Sequence, residues 1–170
     1  MYHLPRHNHS AEKLLTSPSA IFSSLIADLQ RARDTIDMEY YIFANDRTGR
    51  LFVDILSRKA RQGLRVRLII DGYGSFSLGR ELRKALLRDG VELQCHTLLS
   101  FSRCHRKMAI IDGSIAHIGG INIADRYIMG NALGKWHDVQ LRITGDAVAA
   151  IQSLFDYDYM VSEGAVSEVP

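Results

Sequence analysis

Two cysteines, Cys95 and Cys104, are all that 170 residues contain. They cannot form a disulfide framework, and they fit a reducing compartment. Long hydrophobic runs are also missing, so the sequence offers no membrane-spanning helix. The opening residues MYHLPRHNHS lack the basic-then-apolar pattern of a secretion signal. Internal repeats and low-complexity tracts are absent as well, which excludes solenoid and linker architectures. What remains is globular in composition, 46% hydrophobic and 24% charged, and long enough for one domain with its own core. The length allows only one copy of any large unit.

A net charge of +2 conceals an imbalance. Residues 1–110 hold 18 lysines and arginines against 11 acids, whereas residues 111–170 hold 3 against 8. The stretch from Arg47 to Lys107 is the most basic, 14 against 5. Such a surface suits an anionic partner: phosphate, nucleic acid or a membrane face. Solvated helix faces would give the same count.

Periodicity predicts an α/β domain. Residues 1–16 are polar and aperiodic and read as a loose lead-in. Ser17-Pro18 reads as a cap followed by proline at the first helical position. Ile21, Phe22, Leu25, Ile26 and Leu29 then keep helical spacing to about Arg33. Thr35–Phe43 alternates as a strand, with Ile36, Met38, Tyr40 and Ile42 on one face. Asp46–Gln62 is a helix burying Leu51, Phe52, Ile55 and Leu56, closed by Gly63. Leu64–Ile70 is a strand, Ser77–Asp89 a helix closed by Gly90, and Val91–Cys95 a short strand. This β-α-β-α-β order predicts parallel strands with right-handed crossovers.

After a polar loop over Ser100–Arg103, the pattern changes. Arg106–Ile111 and Ser114–Ile118 are joined by Asp112-Gly113, a hairpin signal. The first of these strands is apolar on both faces and is expected at the centre of the sheet. Ile121–Tyr127 looks like a short helical start, His137–Ile143 a further strand, and Asp146–Tyr159 a closing helix. Residues 161–170 read as a frayed tail. The expected fold is thus a mixed sheet between helix layers.

The chemistry concentrates between His105 and Asn122. His105 and Lys107 lie two apart at a strand mouth and leave on one face. Basic side chains are costly on a buried strand, and a site is the simplest reason for them. Gly119 and Gly120 permit close backbone approach, and Asn122 adds an amide. A helix starting nearby would offer N–H donors to an anion. The set suits a phosphodiester: an imidazole nucleophile or acid, with Lys107 and Asn122 holding non-bridging oxygens. No carboxylate cluster stands nearby for magnesium, so no metal or other cofactor is expected. Cys95-His96 and Cys104-His105 lack the spacing of a zinc site. His117 reads as a structural histidine, Glu39 as a buried, paired carboxylate, and Trp136 as packing or a groove wall.

His105, Lys107, Asp112, Gly119, Gly120 and Asn122 together spell HxK, four residues, Asp, six residues, GGxN. That pattern resembles the phospholipase D superfamily. The flanks EYYIFANDRTG (39–49), GLRVRLIIDGYGS (63–75), GGINIADRY (119–127) and WHDVQLRITGDAVAAIQSLF (136–155) look like the first catalytic half of a bacterial cardiolipin synthase, over residues 17–160. The nuclease branch more often carries serine at the second glycine. The resemblance implies a phospholipase D-like mixed sheet and a histidine that attacks phosphorus to form a phosphohistidine. It implies phosphatidyl transfer or hydrolysis on phosphatidylglycerol or a similar phospholipid, without a metal. His105, Lys107, Asp112, Asn122 and Asp138 would be catalytic, Asp138 binding the back of the imidazole, with Gly119 and Gly120 at the substrate. It also implies a cytoplasmic protein, peripheral to the membrane.

Such synthases carry two motifs per chain, and this sequence has one. His3, His7, His9, His96, His117 and His137 lack the Lys–Asp spacing. The second histidine is therefore expected from a homodimeric twin, as in single-motif members, or from a missing second half, without which the chain is inactive. A nuclease with nucleic acid as substrate is the alternative within the superfamily.

Overall fold

The computed structural model describes residues 10–96, 105–130 and 134–162. One seven-stranded sheet, in the order β1-β7-β6-β5-β2-β3-β4, carries helices on both faces. The strands are β1 (Ser10–Leu15), β2 (Thr35–Tyr40), β3 (Arg65–Asp71), β4 (Glu92–His96), β5 (Lys107–Ile111), β6 (Ile115–Gly119) and β7 (Gln140–Gly145). The helices are α1 (Pro18–Arg31), α2 (Arg47–Arg61), α3 (Gly79–Arg88), α4 (Asp125–Met129) and α5 (Ala147–Ser162).

β2, β3 and β4 are parallel, as the alternating order predicts, and β5 joins β2 antiparallel at the middle of the sheet. The β5–β6 hairpin turns through Asp112 and Gly113, at φ +51° and +59°. These left-handed values explain the Asp-Gly pair, since few other residues tolerate them. Ser17 caps α1 by accepting from the Ala20 amide at 3.3 Å, with Pro18 at the first helical position.

The larger core lies between the sheet and α1–α4 and includes Ile21, Leu25, Phe52, Leu56 and Tyr40. Leu51, expected inside, is 44% exposed; Val53 is buried instead. On the other face, among the described residues, α5 covers the sheet, seating Val148 and Phe155 on Ile69, Ile110 and Ala116. That face of the sheet is partly ionic. Asp37 is fully buried and receives Arg67 through two bonds of 2.7 and 2.8 Å and Gln152 at 2.8 Å. Arg67 in turn lies 4.9 Å from the ring centres of Phe155 and Tyr159. The guanidinium is thereby paired and covered together, which offsets its desolvation.

Residues 10–15 correct the expected loose lead-in. They form β1, paired antiparallel with β7 from Ser10↔Gly145 to Leu15↔Gln140. Only Leu15 is buried, so backbone pairing rather than an apolar face holds this edge strand. At the other end α5 runs to Ser162, past the start expected for the tail. Residues 163–170 and the loop Ser100–Arg103 lie outside the described residues.

His117 is fully buried, as a structural histidine should be. Its Nε2 lies 2.8 Å from Asp28, and its Nδ1 lies 3.0 Å from the Gln140 amide nitrogen. Because the Gln140 amide can only donate, Nε2 carries the proton and donates to Asp28. Arg142 also donates to Asp28, at 2.6 and 3.1 Å. Burial pushes the His117 pKa below its ordinary 6.5, outweighing the pull of Asp28. Burial alone would raise Asp28, but Arg142 and His117 together hold it below 3.8. Both shifts have one sign: the unfolded chain takes up these protons before the folded one. The His117 contribution is therefore complete above about pH 6.5 and declines below it. Thermal midpoints are expected to fall between pH 7 and pH 5, less steeply in His117→Gln. Equal slopes would contradict this account.

Candidate functional site

The carboxyl end of β2 meets the start of β5, and this corner gathers His105, Lys107, Tyr41 and Asn122. In register, Tyr40 pairs with Lys107. β2 ends there, three residues sooner than alternation predicts, because residues 42–44 turn to follow the GGIN segment. Phe43 bridges Ile123; the Ile123 amide donates to the Ile42 carbonyl at 3.1 Å, and the Ala44 amide to the Ile123 carbonyl at 2.9 Å.

His105 is exposed at the mouth. Its ring lies 5.0 Å from that of Tyr41, tilted by 49°. Lys107 is buried, donates to the His105 carbonyl, and holds its ammonium 5.4 Å from the Tyr41 ring centre. Tyr41 thus contacts both basic groups. Residue type and spacing do not single it out, although the doublet Tyr40-Tyr41 at a strand end is a usable signal. Asn122 is buried, and its side chain is clamped from two sides. The Ile42 amide donates to its Oδ1 at 2.9 Å, and its Nδ2 donates to the Tyr127 hydroxyl at 2.8 Å. The amide is therefore fixed with its NH₂ end determined, leaving one N–H for another acceptor.

The other expected site residues are placed differently. Asp112 lies at the opposite end of β5, about 20 Å along the strand from His105. Its carboxylate accepts from the backbone amides of Arg33, Asp34 and Thr35 at 2.8–3.1 Å. The structure does not bring it to the cluster. Asp138 accepts from the Trp136 indole at 3.3 Å and its neighbour's amide at 2.8 Å, and no hydrogen bond joins it to His105. It lies instead over the second glycine: a Cβ on Gly120 would come within 2.6 Å of its carboxylate. A Cβ on Gly119 would lie 2.7 Å from the Val139 carbonyl. Both glycines thus admit the protein's own 138–140 segment, an approach that any side chain would block. β7 begins only at Gln140, later than expected; ahead of it Trp136, still 39% exposed, stands edge-on to Tyr127 at 4.8 Å.

The anticipated helix after Asn122 starts at Asp125 rather than Ile121, and its first amide donates to Asp46 at 2.8 Å. Asp125 returns the contact, accepting from the Thr48 hydroxyl at 2.6 Å and the Thr48 amide at 2.8 Å. This reciprocal cap locks α4 to α2, so the helix start serves a carboxylate within the protein, not a phosphate. Glu39 is fully buried, 3.9 Å from Arg106, as a paired carboxylate should be. Cys95 is half-buried, 3.7 Å from Arg83, and burial raises its thiol pKa. Cys104 and the His96 side chain lie outside the described residues.

The geometry is an open imidazole backed by a buried lysine and a clamped amide, all set by the HxK and GGxN segments. The family described as "Cardiolipin synthase, PLD-like domain" matches this chain over residues 25–158. The chain belongs to the phospholipase D superfamily. Within it, a cardiolipin synthase of Geobacillus kaustophilus is 37% identical over 165 residues, 91% of this chain and 33% of that protein. One of Oceanobacillus iheyensis is 36% identical over 154 residues, 86% of this chain and 32% of that one. The chain thus spans about a third of the length of the curated relatives it matches. Phosphatidylserine synthase of Haemophilus influenzae superposes with a TM-score of 0.73 at 19% identity, covering 94% of this chain and 40% of that one. Nuc of Salmonella typhimurium, a phospholipase D family member, gives 0.68 at 18%, covering 92% and 96%. The phospholipase D fold expected from the sequence is therefore present, with its mixed sheet between helix layers.

Proposed function

We propose that this phospholipase D-superfamily domain transfers a phosphatidyl group between alcohols through a covalent intermediate on His105. The observation that carries this reading is the His105–Tyr41–Lys107 cluster, open at the sheet mouth beside the clamped Asn122 amide. The His105 imidazole attacks phosphorus as the bond to the first alcohol breaks. The leaving oxygen takes its proton from a second histidine. A second alcohol, or water, then attacks, gives its proton to that histidine and frees His105. Lys107 and the spare N–H of Asn122 offset charge on the non-bridging oxygens. The Lys107 ammonium is buried, so its charge is less screened than in water.

The second histidine would come from a second motif, in a twin chain or in another part of a longer polypeptide. Phosphatidylglycerol or a related phospholipid is the proposed substrate, met at a membrane surface. Incubation with phosphatidylglycerol and, separately, single-stranded DNA, each beside His105→Ala, tests the reading. The expected result is cardiolipin or phosphatidic acid from the wild type only, by a species that gel filtration shows to be paired. DNA cleavage without lipid turnover would overturn it in favour of a nuclease. Inactivity of a paired species on both substrates would overturn it as well.

A further inference from the structure

α3 has two unlike faces. Leu78, just before it, and Leu86 are buried in the core. Outward, Arg80, Lys84 and Leu87 follow at spacings of four and three, in one exposed row. Ahead of the helix Phe76 is 77% exposed, and Leu87 is 55% exposed. α2 packs beside α3 and adds Arg58 and Leu51, both exposed. Arg61 and Arg88 share Asp89, at 2.6 and 3.4 Å. By contrast Arg58, Arg80 and Lys84 have no ion pair with any described carboxylate, and Asp54 and Glu81 are the acids left on this face.

We infer that this α2–α3 face docks the domain on a bilayer that contains anionic lipid. The inference rests on the lipid reading of the site. A row of unpaired cations alone would suit any polyanion. Phe76, Leu87 and Leu51 add large exposed apolar side chains to the same face. A base could stack on Phe76 but not on the two leucines, whereas a surface with an apolar interior rewards all three and the cations as well. No helix among the described residues is long and apolar enough to cross a membrane, so contact through them is with the bilayer surface.

The face is also joined to the site. Ser75, next to Phe76, donates to the Tyr41 carbonyl at 3.0 Å and accepts from the Phe43 amide at 2.9 Å. A Cβ on Gly74 would lie 2.3 Å from the same Tyr41 carbonyl, so the loop is held against the segment that contacts His105. Docking through Phe76 therefore brings lipid phosphodiesters to the end of the sheet where His105 opens.

Flotation with vesicles of phosphatidylcholine, with and without phosphatidylglycerol, tests this. The wild type is expected on the phosphatidylglycerol vesicles only, and to be released by salt as the charges are screened. A cation near an anionic surface contributes about fivefold in affinity, so Arg80→Ala with Lys84→Ala should weaken binding about thirtyfold. Phe76→Ser with Leu87→Ser should weaken it several-fold. These positions are exposed, and unchanged thermal midpoints would confirm intact folds. His105→Ala should bind like the wild type, which separates docking from chemistry. Failure of the wild type to float, or binding by both double variants equal to that of the wild type, overturns the inference. So does tighter binding to single-stranded DNA that Phe76→Ser with Leu87→Ser leaves unchanged. Turnover of dispersed short-chain phosphatidylglycerol is scored separately. Turnover without flotation would sink the docking face alone, and flotation without turnover would sink the proposed chemistry alone.

Discussion

Asp112→Ala is expected to lower unfolding stability by about 3 kcal/mol, read from urea midpoints, while the turnover of folded protein changes little. The Asp112 carboxylate gathers the amides of Arg33, Asp34 and Thr35, which link α1 to β2. Burial alone would raise its pKa, but those three amides and Lys59 together hold it below the ordinary carboxylate value. Alanine would leave the amides without their acceptor and would place a Cβ-bearing residue at φ +51°, where Asp and Asn are better tolerated. Asp112→Asn should therefore recover part of the loss, because the amide side chain keeps one acceptor oxygen and accepts the left-handed backbone. The motif's aspartate would then act on the fold, at the far end of the strand whose mouth carries His105. A collapse of turnover with unchanged stability would return Asp112 to the chemistry.

The part of the fold that could be read in the sequence is the part where local signals agree. Ser17-Pro18, the left-handed Gly63 and Gly90, and the Asp112-Gly113 turn mark boundaries by backbone chemistry alone. β5 was readable as central because both its faces are apolar. β1 was not, because Ala11, Glu12, Lys13 and Leu14 are all exposed and its pairing with β7 uses backbone groups that any sequence possesses. The charge at Asp37 resisted reading for a different reason. Asp37 looks like a solvent-facing position, yet it is fully buried, since its partners Arg67 and Gln152 come from later in the chain. In the candidate site, residue types and spacing singled out His105, Lys107 and Asn122. They could not show that Asn122 is oriented by Ile42 and Tyr127, nor that Tyr41 stands between the two basic groups. Those contacts depend on where β2 stops, and β2 stops where the GGIN segment takes over its edge. The pattern also conveyed nothing about the direction of approach at Gly119 and Gly120, where the close neighbour is the protein's own β7 entry.

His105→Ala is expected to abolish phosphoryl labelling, by at least about 10³-fold. The test uses an aryl phosphodiester such as bis(p-nitrophenyl) phosphate. Its phenolate departs with the bonding pair and needs no proton, so the step bypasses the second histidine and can be read on this chain alone. In the wild type the imidazole nitrogen is expected to form a bond to phosphorus as nitrophenolate leaves. The adduct should be acid-labile and alkali-stable, and should map to the peptide that contains His105. His105 is exposed, so its removal costs little stability and the loss cannot be assigned to unfolding. Lys107→Met should slow labelling by about 10²–10³-fold, because a buried ammonium beside the nucleophile is replaced by an apolar chain of similar length. The same change also removes the bond to the His105 carbonyl, and with it one tie on the nucleophile's backbone. Asn122→Ala should slow labelling less, since it takes away one donor but no charge. Nitrophenolate release that continues in His105→Ala at the wild-type rate, or a label on His137, would end the assignment of His105 as the nucleophile.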